Sequence, residues 1–155
     1  YFEQLNKKIG LKRTHYGGKI NSAKNEARSY FYDESKWNVS FEQDPSVAGG
    51  SGGIVSTTGD VTKFVSALFA GKLLKPESLK EMTTSPADNL RQNGKGIGNF
   101  EVLDTKKRGH SPDGGFDAFR SLMIYVPEDR LAFAITINGH NYPMNKIFRN
   151  VLRVY

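Results

Sequence analysis

The residues of this 155-residue chain best suited to chemistry lie in one run, Arg108-Gly109-His110-Ser111-Pro112-Asp113-Gly114-Gly115. Imidazole is the side chain whose charge changes near neutral pH, and a hydroxyl beside it can donate or accept. Two adjacent glycines permit a positive φ or the close approach of a ligand to the backbone. His110 is therefore a candidate to bond a substrate carboxylate or assist proton transfer, with Ser111 as a second polar contact. Gly114 and Gly115 are candidates to bring the main chain against that substrate. The alternative is a surface histidine where a strand begins. Asp113 and Asp117 flank the glycine pair and could work as acid and base, though a turn-forming Asp is the commoner explanation.

Other motifs carry less. Gly49-Gly50-Ser51-Gly52-Gly53 matches G-x-S-x-G letter for letter. A nucleophile elbow needs a strand directly before its serine and a helix directly after. Asp44-Pro45-Ser46-Val47 is not a strand, so a glycine loop is the better reading, with a Ser51 hydrolase ranked last. His15 and His140 have no constellation around them and read as ordinary loop residues. No pair of histidines has H-x-x-x-H spacing and no acidic cluster accompanies them, so neither a metal nor a cofactor is expected. Phosphate-loop patterns are absent. The chain holds no cysteine, which excludes disulfides and thiol catalysis. Net charge is +6, but Lys and Arg are spread along the chain, and the densest run is Lys106-Lys107-Arg108. This reads as a solvated basic face, with no nucleic-acid partner expected. Mean hydropathy is −0.52, and no apolar run approaches a membrane span.

The elements that must position these residues follow from periodicity. Ile97 to Leu103, Phe119 to Val126 and Leu131 to Ile137 read as three strands. Pro127-Glu128-Asp129-Arg130 joins the last two as an antiparallel hairpin. Those two runs alternate little, so both faces should be covered by helices. Val61, Phe64, Val65, Leu68 and Phe69 form one helical face after Thr58, with Gly71 ending the helix. Pro76 opens a shorter helix over Glu77 to Met82. Ile147, Phe148, Val151, Leu152 and Tyr155 place a helix over Asn145 to Tyr155 against the sheet. Phe2, Leu5 and Ile9 read as the last turns of a helix closed by Gly10, without a capping residue before it. The chain thus reads as a single domain, or a fragment of one, over 1–155. Between these elements, Leu11 to Trp37 is polar with a turn at Gly17-Gly18 and a short strand over Ala27 to Tyr32. Val39 to Val47 and Asp88 to Gly96 read as loops.

Two segments combine into something more specific. Ala48-Gly49-Gly50-Ser51-Gly52-Gly53-Ile54-Val55-Ser56-Thr57-Thr58-Gly59-Asp60-Val61-Thr62-Lys63-Phe64 resembles a segment of the serine β-lactamase and D-alanyl-D-alanine carboxypeptidase family. Gly109-His110, then Gly114 to Ser121, then Tyr125 to Gly139, resembles that family's final sheet. Leu11-Lys12-Arg13-Thr14 resembles the motif that follows a long helix there. The resemblance covers nearly the whole chain in the right order. It implies an α+β fold, with an antiparallel sheet packed by helices, as part of a β-lactamase/transpeptidase-like architecture. It implies acyl transfer on D-alanyl peptides, β-lactams or small esters, and a bacterial periplasmic or secreted location.

In that family a Ser-x-x-Lys supplies nucleophile and base, and a Tyr-x-Asn or Ser-x-Asn a proton shuttle. None of these occurs in the 155 residues. The third element, Lys-Thr-Gly or His-x-Gly, is met by His110-Ser111-Pro112, with Pro112 where the pattern carries glycine. The resemblance therefore implies a C-terminal portion whose catalytic residues lie outside this chain. His110, Ser111, Gly114 and Gly115 would face the substrate, and the chain would be inactive alone, pairing with its missing half or with itself. The other reading is a non-catalytic binding or structural fragment of the same fold.

Overall fold

The computed structural model describes residues 2–84, 97–102 and 105–154. Helix α1, Phe2–Ile9, leads to a two-residue strand β1, His15–Tyr16, which pairs with β4, Ile54–Val55. Between them lies a hairpin of β2, Tyr30–Asp33, and β3, Lys36–Val39. Only its first strand is legible from Tyr and Phe spacing, because Lys36 and Asn38 have weak strand preference.

Helix α2, Thr58–Phe69, starts where Thr57 accepts a hydrogen bond from the Asp60 N–H, and Ala70 and Gly71 bond back to close it. Helix α3, Pro76–Thr83, follows. The main sheet then holds β5, Gly98–Glu101; β6, Arg108–Ser111; β7, Asp113–Phe116; β8, Phe119–Val126; and β9, Leu131–Ile137. Helix α4, Met144–Val154, closes the described chain. The predicted bounds of β8 and β9 match residue for residue, and the four-residue turn between them closes with the Arg130 N–H on the Pro127 carbonyl. The loop expected over Asp88 to Gly96 lies outside the described residues.

The sheet differs from the expectation in one respect. It has five antiparallel strands, because the glycine-rich run from Arg108 to Phe116 is itself strand. Its pairing with β8 keeps one register from His110–Tyr125 to Phe116–Phe119. Pro112 interrupts the run only by lacking an N–H, since its carbonyl still accepts from the Met123 N–H at 2.9 Å. Asp117, at φ 50°, turns the chain between β7 and β8.

Strand β8 is the centre of the molecule. Leu122, Ile124 and Val126 point to one face and are buried against Leu152, Phe148 and Met144 of α4. Ile124 and Val126 are completely covered. Burying each such side chain contributes about 1.5–3 kcal/mol. On the opposite face Tyr125 stacks beneath Phe69 of α2. Helices thus cover both faces, as the unalternating apolar run predicts. Among the described residues no strand pairs with the outer edge of β9 along most of its length, and none of its residues is fully buried. Only at its end does Tyr30 bond across to Asn138 and His140.

Candidate functional site

His110 sits mid-sheet, directly opposite Asn99 on β5 and Tyr125 on β8. Cross-strand partners share a face, and here that face is α2's. Phe69, in the last turn of α2, stacks on both rings: 5.1 Å and 14° from His110, 4.1 Å and 9° from Tyr125. His110 Nδ1 lies 2.7 Å from Asn99 Oδ1, and Asn99 Nδ2 donates to the Thr83 carbonyl at 3.1 Å. Thr83 ends α3, where carbonyls lack intrahelical partners. Burial pushes the His110 imidazole below its ordinary 6.5, because a charged ring is costly away from water. At neutral pH the ring is therefore an uncharged donor and acceptor.

Gly109 is buried because a side chain there has no room: an added Cβ would fall inside the Phe100 ring, which packs edge-on against Phe148. Alternation along β6 turns Ser111 away from the His110 face, so the two residues do not line one wall together. Gly114 and Gly115 are exposed on β7, whose outer edge pairs with no strand among the described residues. Pro112 bonds toward β8, so by ladder alternation Gly114 also bonds toward β8, while Asp113 and Gly115 aim their N–H and carbonyl groups outward. Opposite Gly115, the Arg120 guanidinium lies over the glycine, donating to the Phe119 carbonyl at 2.8 Å and to His140 Nδ1 at 2.8 Å.

The other candidates fall elsewhere. Ser51 ends a 3-10 segment, and its hydroxyl donates to the Ala48 carbonyl, so the elbow geometry is absent. Asp117 accepts from the Gln43 N–H in its turn, and Asp113 is exposed. His15 is a strand residue bridged to Glu26 at 2.9 Å, and His140 holds Arg120, so both histidines have partners that the sequence did not disclose. Asn99, Phe69, Tyr125 and Arg120 went unmarked as site residues. Asn99, Tyr125 and Arg120 come to their places by cross-strand register and Phe69 by the packing of α2 on the sheet, both of which a single sequence carries weakly. Among the described residues no group of His, Asp and Glu is placed to hold a metal, and no helix is long and apolar enough to cross a membrane.

Away from this site, Leu11-Lys12-Arg13-Thr14 and Ser56-Thr57-Thr58-Gly59-Asp60 meet. The Asp60 carboxylate accepts from the Arg13 N–H at 2.7 Å and the Thr14 hydroxyl at 2.8 Å. Thr14 spends its one proton on that carboxylate, so Ser56, 2.8 Å away, donates to Thr14.

A family model described as Beta-lactamase matches residues 3–154. The chain belongs to the beta-lactamase family. No curated protein sequence matches it. Among solved structures, this beta-lactamase-family chain is similar to D-amino acid amidase from Ochrobactrum anthropi SV3, with 25% identity and a TM-score of 0.73, covering 99% of this chain and 51% of that one. It is also similar to a D-stereospecific amidohydrolase from Streptomyces sp., with 23% identity and TM-score 0.74 over 88% of this chain and 42% of that one. A penicillin binding protein from Bacillus halodurans shares the fold at 14% identity and TM-score 0.79, over 99% and 48% of the two chains. The chain spans about half the length, or less, of these solved relatives. Its mixed helical and antiparallel-sheet architecture is that of the β-lactamase/transpeptidase-like fold.

Proposed function

We propose that this chain is the C-terminal, substrate-facing part of a serine hydrolase domain, acting by acyl transfer with its nucleophile and base supplied from outside these residues. The observation that carries the reading is a beta-lactamase family match over residues 3–154 in a sequence holding no Ser-x-x-Lys. Substrates on this reading are D-alanyl peptides, β-lactams or small esters. The two D-stereospecific neighbours add amides to that set. His110 presents its ring to the substrate, and the outward N–H groups of Asp113 and Gly115 are preorganised donors beside it. The partner is the segment bearing Ser-x-x-Lys, and the setting is a bacterial periplasm or exterior. A non-catalytic fragment of the same fold is the second reading, favoured by the same missing motif.

The test is covalent labelling with a fluorescent penicillin and a fluorophosphonate, read by intact mass. The 155-residue chain alone should remain unlabelled, and a complex with a Ser-x-x-Lys-bearing segment should label on that segment. Label on this chain alone would end the divided-site account, and a folded complex that never labels would favour the non-catalytic reading.

A further inference from the structure

The hydrogen bonds around Asn99 decide which nitrogen of His110 holds the proton. The Thr83 carbonyl can only accept, so the carboxamide end facing it is Nδ2, and the end facing His110 is Oδ1. A carboxamide oxygen also only accepts. The 2.7 Å contact is therefore a bond from His110 Nδ1–H, and in the uncharged ring Nε2 is left as a bare acceptor. That nitrogen makes no hydrogen bond among the described residues. Phe69 stacks on the ring and opposes its rotation.

We infer that Asn99 is a positioning residue that locks His110 in its Nδ1–H tautomer, so that Nε2 accepts a hydrogen bond from a donor group on the substrate, such as an amide N–H or a hydroxyl, and does not hold a carboxylate. The acceptor role rests on the substrate-facing reading above, whereas the tautomer lock stands on the geometry alone. The relay has three members: the open end of α3 orients Asn99, Asn99 orients the ring, and the ring selects the chemistry of its guest. A carboxylate on the same substrate would then fall to the outward N–H groups of β7.

Ring-nitrogen NMR correlation spectra of the 155-residue chain above neutral pH test this, with His110 assigned by its loss in His110→Gln. The expected wild-type signature is a protonated Nδ1 and an unprotonated Nε2. Asn99→Ala should shift the majority to the Nε2–H form that free imidazole side chains prefer, and Asn99→Asp, which keeps an acceptor, should restore Nδ1–H. An Nε2–H tautomer in the wild type, or no change in a folded Asn99→Ala, would overturn the lock. If that variant does not fold, the wild-type spectrum still decides. Phenylacetamide should move the Nε2 resonance at lower concentration than phenylacetate, which matches it in shape but lacks the donor. The reverse order, or no movement with phenylacetamide, overturns the acceptor role. Failure of the labelling experiment would end the hydrolase reading without altering the tautomer spectra.

Discussion

Thr14 and Asp60, forty-six positions apart, are joined by a 2.8 Å hydrogen bond that ties the segment after α1 to the first turn of α2. Asp60 is only 5% exposed. Its carboxylate takes bonds from the Arg13 N–H and the Thr14 hydroxyl, and Lys63 lies 3.6 Å away. Replacing it with Ala would leave two partly buried hydrogen bonds without their acceptor at once. Asp60→Ala should cost about 3 kcal/mol in urea unfolding, and Thr14→Val about 1 kcal/mol. A loss under about 0.5 kcal/mol for Asp60→Ala would show the node to be ornamental.

The same carboxylate sets a limit on acid stability. Burial pushes its pKa upward, but the Arg13 and Thr14 hydrogen bonds and the nearby Lys63 outweigh that and hold it below the ordinary 3.8. The unfolded chain then binds the proton more readily than the folded one. Asp60 therefore contributes stability above about pH 4 that disappears as pH falls through its lower folded value. Wild type and Asp60→Asn should converge in urea midpoint on acidification below that point. Parallel curves down to the acid transition would contradict the linkage.

His110 acts at milder pH with the same sign. Burial lowers its pKa below 6.5, so between the folded value and 6.5 the unfolded state binds more protons. Stability in this window rises with pH, and the contribution is complete above 6.5. His110→Gln should remove that slope. A stability profile flat from pH 7.5 to 5, or one that rises on acidification, speaks against it.

Gly109→Ala places a methyl group where Phe100 packs against Phe148. Neither ring has space to yield without disturbing the α4 contact, so the substitution should cost about 1–3 kcal/mol. Gly114→Ala is the control, because an added Cβ there lies 3.6 Å from Ser121 Oγ, an ordinary contact. Equal melting temperatures for the two variants would refute the packing account.

Among the described residues no strand pairs with the outer edge of β9, which carries the apolar run Leu131-Ala132-Phe133-Ala134-Ile135. Such an edge recruits another strand. The isolated chain should self-associate through a second copy of β9, seen as concentration-dependent sedimentation. Thr136→Lys, at an exposed position on that edge, should return it to monomer. A wild-type monomer at high concentration with a sharp, reversible melt would end this expectation.

Local patterning was enough to place α2, β8 and β9, since apolar period, Thr caps and the Pro127-to-Arg130 turn all act within a few residues of themselves. It also carried the family resemblance, because the succession of Ser56-Thr57-Asp60 and Gly109-His110 is written in the chain. It did not disclose β6 and β7. Gly109, Pro112, Gly114 and Gly115 have poor intrinsic strand preference, and only pairing with β8 overrides it. His110 was legible as a candidate, but its proton was not. The nitrogen that carries it depends on Asn99 across a strand pair, Thr83 at a helix end and Phe69 from another layer, none of them its neighbours in sequence. Residue type determined what chemistry was available. Register and packing decided which atom of His110 is offered, because a hydrogen-bond role is a property of the partner as much as of the residue.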